Sequence, residues 1–232
     1  MLILAIETST PQVGVALVDY DGVLASFHAN RDRRHAETVV PAVEFLFRQA
    51  GVGPSDLGAV AVDVGPGLFT GLRVGLATAK TMAQSLRIPM VGVSSLDLLA
   101  FAARMSDRRI VATVDARRGE VFAATYRRVH GGVQRLTEPV VASPDEVAGL
   151  VESFGEDCLL VGDGADRYSD ILSRVHGVEI GREGMRFPSA AALGELAHSR
   201  AVREEFQQPR EIEPIYLRGP DATPNWKSAG FS

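Results

Sequence analysis

The sequence has little cysteine, little lysine and no long apolar run. Its single cysteine, Cys158, excludes an internal disulfide and is typical of a protein from a reducing cytosol. The longest stretch without a charged residue covers residues 8–18 and contains a proline, whereas a membrane span needs about 18 apolar residues. Residues 1–7 lack the basic flank of an export signal. We therefore expect a cytoplasmic protein that does not contact a membrane.

Acidic residues slightly outnumber basic ones. The chain has 24 Lys and Arg residues against 29 Asp and Glu residues, which gives a net charge of −5. Because nucleic-acid binding needs a concentrated basic face, this balance argues against a dedicated nucleic-acid binder. Arginines nevertheless cluster at residues 31–34, 108–109, 117–118 and 127–128. The sequence leaves open whether these clusters contact RNA.

The sequence shows no arrangement of catalytic or metal-binding residues. The five histidines are scattered, with no pair at the i, i+4 spacing that holds a metal ion on a helix. A Gly-x-Ser-x-Gly nucleophile motif is missing, and Cys158 is followed by two leucines, as expected of a core residue. We therefore predict neither a catalytic residue nor a metal ligand in this chain.

Apolar periodicity and turn residues predict an α/β fold built from two similar halves. The predicted strands cover residues 2–7, 13–19, 23–28, 59–63, 89–94, 109–115, 121–128, 133–136 and 158–161. The predicted helices cover residues 35–50, 72–86, 95–103, 144–154, 167–175 and 189–204. We expect a first lobe over residues 1–106, a smaller second lobe over 107–218 and a flexible tail over 219–232.

Two turns could receive an anion. The hydroxyl-rich turn after the first strand contains Thr8 and Ser9, and a glycine-rich loop with Gly65, Gly67 and Thr70 precedes the second helix. Helix N-termini attract phosphate, so these five residues are the candidate nucleotide-binding or anion-binding set. The alternative is that the glycines only permit tight turns and close packing.

The helix predicted at residues 72–86 has few charges on any side. Small, uncharged residues lie opposite its expected core stripe, and the helix at 35–50 is also apolar over more than one stripe. Either the second half buries both helices inside the monomer, or a protein partner covers them, and we favour the partner. The predicted interface residues are Val39, Val43, Leu46, Arg73, Val74, Ala77, Thr78 and Thr81.

Several segments resemble the TsaB family, also called YeaZ. They are residues 3–10 (ILAIETST), 35–37 with Pro41, 65–75 (GPGLFTGLRVG), 115–121 (DARRGEV), 162–165 (GDGA) and 214–218 (PIYLR). The resemblance runs along nearly the whole chain. It implies the actin-like ATPase (ASKHA) fold, in which two lobes each carry a mixed sheet flanked by helices, with a reduced second lobe.

The resemblance also implies a function and partners. Such a protein is a subunit of the bacterial machinery that makes threonylcarbamoyladenosine beside the anticodon of tRNAs reading ANN codons. Its paralogue TsaD transfers the threonylcarbamoyl group, and the ATPase TsaE joins the assembly. The chain would pair with TsaD through its first-lobe helices, or with itself when alone, and would meet tRNA only through the complex. It would require no cofactor, and weak binding of ATP or ADP at the subunit junction stays open.

In the catalytic paralogue, a His-x-x-x-His motif ligates a metal after the strand that matches residues 90–94. Ser95 and Leu99 stand at those two positions here, so the resemblance implies a non-catalytic subunit. The fold group also contains kinases and ATPases, and fold alone does not establish chemistry. An autonomous nucleotide-dependent enzyme is therefore the alternative, and a metallopeptidase-like protein is a weaker one.

Overall fold

Two mixed β-sheets form the framework of the protein. The computed structural model describes residues 1–30 and 34–218. In chain order, the first sheet and its connections are β1 (Leu2–Glu7), β2 (Gln12–Asp19), β3 (Gly22–Asn30), α1 (His35–Ala50), β4 (Leu57–Asp63), α2 (Phe69–Leu86) and β5 (Met90–Val93). The sheet order is β3-β2-β1-β4-β5, with β1, β2 and β3 antiparallel and β1, β4 and β5 parallel.

The second half repeats this topology. After α3 (Ser95–Ala102), it contains β6 (Arg109–Arg117), β7 (Glu120–Val129), β8 (Gly132–Arg135), β9 (Val140–Ala142), α4 (Pro144–Ser153), β10 (Cys158–Val161), α5 (Asp163–Arg167), α6 (Ser169–Leu172), β11 (Val178–Ile180) and α7 (Ala190–Val202). The second sheet has the order β8-β7-β6-β10-β11, and β9 also pairs with β7. The similarity predicted between the two hairpin openings is therefore confirmed, and it extends to both parallel strands of each sheet.

Each strand of the first sheet sends alternate side chains to opposite faces, as the pleat requires. Leu4 and Ile6 of β1 pack with α1 and α2 on one face. Ile3 and Ala5 pack on the other face against α7. Both faces are apolar because helices cover both of them.

Helices α3 and α7 each pack on the sheet of the other half. Leu96 and Leu99 of α3 lie in the core of the second sheet, whereas Leu193 and Ala197 of α7 lie in the core of the first. The lobe boundary predicted between residues 106 and 107 stays a prediction, and these two helices pack across it. The two halves therefore share their inner helices.

Most predicted elements agree with the structure, and the differences have local reasons. Helix α2 starts at Phe69, three residues before the predicted start, because Leu72 N–H already donates to Leu68 O. The single helix predicted at 167–175 is two short helices, α5 and α6. Strands β9 and β11 were not predicted, since three residues are too few to show a period.

Helix α4 begins at the capping box that the sequence predicts. Ser143 Oγ accepts a hydrogen bond from Glu146 N–H at 3.2 Å, and Ser143 N–H donates to the Glu146 carboxylate at 2.7 Å. The predicted tail at 219–232 and the arginines Arg31 and Arg33 lie outside the described residues. No helix within the described ranges is long and apolar enough to cross a membrane.

Helix α7 approaches β2 closely at a glycine. A Cβ atom built on Gly194 would lie 2.3 Å from Val18 Cγ2, and Val18 is buried and stiff. We expect Gly194→Ala to lower the free energy of unfolding by about 1–3 kcal/mol, as overpacked cores do.

Gly149→Ala in α4 is the matched control, because nothing lies within 4 Å of its Cβ position. This change should raise stability by about 0.5–1 kcal/mol through helix propensity. Urea denaturation measures the free energy of unfolding of both variants. Equal stability of the two alanine variants would contradict the packing of α7 on the first sheet.

Candidate functional site

An apolar groove runs between α1 and α2 on the outer side of the first sheet. Its volume is about 510 Å³, and its walls are nearly all apolar or hydroxyl-bearing. The lining residues are Val40, Val43, Glu44, Phe47, Pro54, Ala77, Thr78, Thr81 and Met82. We call this surface the α1–α2 groove. Its exposed position excludes the alternative that the second half buries both helices.

Three of the predicted α2 interface residues, Ala77, Thr78 and Thr81, line the groove. Arg73, Ala77 and Thr81 are exposed at successive four-residue intervals, and Val74 and Thr78 are half-buried. Residues spaced by four lie on one face of a helix. The small, uncharged residues that the sequence singles out on α2 therefore lie on its outward side together with Arg73, and their role as an interface stays a prediction.

The interface prediction for α1 is wrong at two residues. Val39 and Leu46 are each 1% exposed and lie in the chain's own core, so they are unavailable to a partner. The most regular apolar stripe of a helix packs on its own sheet. Val43 is also largely buried, although its side chain lines the groove. The prediction missed Val40, which is 50% exposed. The sequence feature that indicates it is the second apolar stripe of α1, beside the stripe that packs on the sheet.

Three side chains stack at the N-terminal end of α2. The Arg73 guanidinium lies 3.8 Å from the centre of the Phe69 ring, and the Phe69 and Tyr216 rings are 5.2 Å apart. Arg73 Nε–H also donates to the Tyr216 hydroxyl at 3.4 Å. Cation–π contact and hydrogen bonding thus hold an exposed guanidinium in one orientation. Phe69 and Tyr216 were not predicted as surface residues.

The two turns proposed for anion binding are bound to each other instead. Thr8 Oγ–H donates to Gly71 O at 2.8 Å, and Leu68 N–H donates to Ser9 O at 2.7 Å. Thr8, Ser9 and Gly65 are buried. These polar groups are therefore used within the protein, and anion binding by these three residues stays a prediction. Gly67 is half-buried and Thr70 is exposed.

Two carboxylates lie buried beneath these turns, at the adjacent ends of β1 and β4. Glu7 Oε1 accepts hydrogen bonds from Ser9 N–H at 2.7 Å and Ser9 Oγ–H at 2.6 Å. Asp63 Oδ1 accepts from Gly65 N–H and Ser95 Oγ–H, both at 2.7 Å. Within the described ranges, the second oxygen of each carboxylate has no hydrogen-bond partner.

The burial of this pair changes its protonation. Burial raises the pKa of Glu7 well above its ordinary value, and the nearby Asp63 carboxylate raises it further. Burial also raises the pKa of Asp63 to about 6, although its hydrogen bonds from Ser95 and Gly65 oppose the change. Like charges in a dry site disfavour double ionisation. The pair therefore retains protons at a pH where exposed carboxylates have lost them.

The second half carries a related pair. Asp115 near the end of β6 and Asp163 after β10 stand at the corresponding places of the second sheet. Asp163 Oδ1 accepts a hydrogen bond from Asp115 N–H at 2.9 Å. Burial raises the pKa of Asp163 to about 6. Among residues 1–30 and 34–218, no group of three or more His, Cys, Asp and Glu side chains is placed to hold a metal ion.

The raised pKa of Asp63 predicts a pH-dependent stability. The folded protein binds the Asp63 proton more tightly than the unfolded chain does, and this difference stabilises the fold. The stabilisation is complete below the ordinary Asp pKa and is lost as the pH rises through the raised pKa of about 6. In Asp63→Asn the amide oxygen still accepts from Gly65 and Ser95. We expect the free energy of unfolding of the wild type to fall by on the order of 2–3 kcal/mol between about pH 4 and pH 7. This fall should be missing in Asp63→Asn.

Chemical denaturation across this pH range measures the effect. Glu44→Gln changes an exposed carboxylate and is the control. If the free energy of unfolding of Asp63→Asn falls with pH as steeply as that of the wild type, the assignment of this pH dependence to Asp63 is wrong.

Comparison with known proteins agrees with this architecture. A family model described as "TsaD: tRNA N6-adenosine threonylcarbamoyltransferase" matches residues 22–226. The chain is 34% identical to the tRNA threonylcarbamoyladenosine biosynthesis protein TsaB of Bacillus subtilis, over 97% of this chain and 98% of that protein. The solved structure of YeaZ from Pseudomonas aeruginosa matches with a TM-score of 0.77 at 28% identity, covering 93% of this chain and 99% of that one.

A more distant structure shows the fold. The activator of 2-hydroxyisocaproyl-CoA dehydratase from Clostridium difficile, solved with ADPNP, matches with a TM-score of 0.54 at 13% identity, covering 93% of this chain and all of that one. The predicted actin-like ATPase fold is confirmed. Because the sequence similarity extends along nearly its whole length, the chain belongs to the TsaB (YeaZ) family.

Proposed function

We propose that this chain is a non-catalytic subunit of the machinery that makes threonylcarbamoyladenosine in tRNA. In this proposal it binds the catalytic protein TsaD through the α1–α2 groove. The observation that carries the proposal is the groove itself, since it is apolar, exposed and built from two adjacent helices. The names of the relatives support the pathway.

The shape of the groove suits another pair of helices. Ala77, Thr78 and Thr81 are small, so a helix that enters the groove comes close to the backbone of α2. Val40, Val43 and Phe47 supply apolar area on the α1 side. A paralogue with the same fold offers two similar helices, so the two proteins would pair about a pseudo-twofold axis. The same geometry allows a homodimer when TsaD is absent.

The chain's own residues support a role without catalysis. Ser95 and Leu99 stand where the catalytic paralogue carries metal-binding histidines. Leu99 is fully buried in the core, and Ser95 Oγ–H donates to Asp63. The closed turns around Thr8 and Ser9 also weigh against an autonomous kinase or ATPase. In our proposal TsaD supplies the metal and performs the transfer, and this chain requires no cofactor.

The arginine clusters fit an indirect role toward tRNA. Arg108 pairs with Glu179, Arg109 with Glu156 and Arg128 with Asp107, so acidic neighbours offset the charge of these three arginines. Arg127 instead donates to the neutral Gln134. Offset charges add little to phosphate binding. We therefore propose that tRNA is reached through the complex, in the cytoplasm, with TsaE joining the same assembly.

Ala77→Arg tests the proposed interface. Ala77 is exposed in the monomer, so the variant should keep its stability to within about 0.5 kcal/mol. A guanidinium inside an apolar helix interface lacks a partner, and we expect affinity for TsaD to fall at least about 100-fold. Co-purification of co-expressed proteins and the mass of the complex measure this loss. Thr78→Arg should behave in the same way.

Leu150→Arg is the matched control, because Leu150 is an exposed apolar residue on α4 of the second half. This variant should bind TsaD as the wild type does. Retention of TsaD by Ala77→Arg and Thr78→Arg would place the interface elsewhere. A wild-type protein that fails to bind TsaD would contradict the proposed function itself.

A further inference from the structure

Strand β3 forms an open edge of the first sheet. It pairs with β2 alone, and no other described segment hydrogen-bonds to its backbone. In an antiparallel pair, alternate residues point their N–H and C=O groups away from the partner strand. The outward backbone groups of β3 are therefore open to pairing with a further strand.

The other sheet edges in the described part of the chain are covered or short. β5 is covered, because Met90 exchanges two backbone hydrogen bonds with Gln207, and Gly92 N–H donates to the Gln207 side chain at 3.0 Å. β8 has four residues and includes Arg135, β9 has three residues, and β11 has three residues with Glu179 in the middle. Covers, charges and short length are the means by which proteins prevent edge pairing.

β3 lacks these protections over most of its length. Its nine residues contain no proline and no Asp, Glu, Lys or Arg. One irregularity lies at Leu24, since adjacent residues of β2 pair with Val23 and Ala25, and a bulge of this kind disturbs edge pairing locally. Residues 25–30 keep a regular register with β2. This regular stretch has the usual length of a strand in a sheet.

The side chains of this stretch leave apolar surface and space beside the edge. Ala25 and Phe27 pack on the α1 side against the first core and are only half-buried. Ser26, His28 and Asn30 alternate with them, are exposed, and line an open depression of about 400 Å³ on the other side. A strand added to β3 would bury further apolar surface of Phe27.

The charges before and after β3 indicate which strand fits it. Asp19 and Asp21 precede the strand, and the sequence after its end, residues 31–34, reads Arg-Asp-Arg-Arg. Arg34, the described member of this group, is exposed. The start of β3 is therefore acidic and its end is basic. In an antiparallel pair of identical strands, the start of each copy lies beside the end of the other, so opposite charges meet at both ends.

We propose that two copies of this chain associate through antiparallel pairing of their β3 strands about a twofold axis. The contact is isologous, because the same strand serves in both copies. The two five-stranded sheets then form one continuous sheet. No residue of β3 lines the α1–α2 groove, so a chain whose groove is occupied can use β3 at the same time. This inference goes beyond the proposed function and does not depend on it.

The oligomeric state of the full chain carrying Ala77→Arg tests the pairing, because this change prevents association through the groove. We expect sedimentation equilibrium to show a dimer with a dissociation constant on the order of 10–100 µM, since the contact is small. A protein that stays monomeric at about ten times this concentration would overturn the proposal.

Ser26→Lys, added to Ala77→Arg, places a charge from each copy within the paired strands. We expect the dissociation constant to rise at least about tenfold. Ser173→Lys in the same background is the matched control, because Ser173 is an exposed serine of the second half and the net charge changes equally. It should keep the dissociation constant of Ala77→Arg. Equal values for the two lysine variants would contradict the β3 contact.

Asp21→Arg in the Ala77→Arg background separates the pairing from general charge repulsion, and it decides the case if Ser26→Lys does not fold by circular dichroism. The chain has a net charge of −5, so this change lowers the repulsion between copies and would tighten non-specific association. In the antiparallel β3 pair it brings like charges together, and we expect association at least about threefold weaker. Unchanged or tighter association would overturn the proposal.

Discussion

The close approach of α2 to the turn after β1 is the contact on which the rest of the structure depends. A Cβ on Gly71 would lie 2.1 Å from Thr8 O, and a Cβ on Gly75 would lie 2.2 Å from Thr8 Oγ1. Only a helix without side chains at these two positions can rest on the turn. Because the Thr8 hydroxyl also donates to Gly71 O, packing and hydrogen bonding fix α2 in one place. The outward stripe of α2, and hence the α1–α2 groove, follows from that position.

The same contact uses polar groups of both turns within the protein. The hydroxyls and amides that could face an anion instead bind the other turn or the buried carboxylates. Glu7 and Asp63 keep the position at strand ends where α/β folds place ligands, but they are fully buried and disfavour the approach of a second negative charge. The chain thus combines a closed interior with an apolar exterior. That combination suits a protein that acts by binding another protein.

The two halves differ in what they present, although they share one topology. In the first half, α1 and α2 leave an apolar groove on the outer surface. In the second half, the corresponding region contains α4 and the short helices α5 and α6. Helices α3 and α7 each pack on the sheet of the other half, and residues 212–218 contact both halves. A partner on the first half would therefore bind a surface whose support extends into the second.

The sequence by itself determined the secondary structure of the long elements, the repeated hairpin openings and the capping box of α4, because periodicity and local hydrogen bonding are properties of neighbouring residues. It also determined that the outer side of α2 carries mainly small, uncharged residues, with Arg73 as an exception. Only the tertiary structure decided which apolar residues of α1 are outside. Val39 and Val40 are adjacent and equally apolar, and the packing of α1 on its own sheet buries the first and exposes the second.

Tertiary structure likewise decided that Thr8, Ser9 and Gly65 face inward and that residues 212–218 span both halves. Each of these outcomes depends on contacts between segments far apart in the chain, such as Thr8 with Gly71 or Arg218 with Ala116. Local sequence carries no information about which distant atom will occupy the space beside a turn, and packing of the whole core settles that choice.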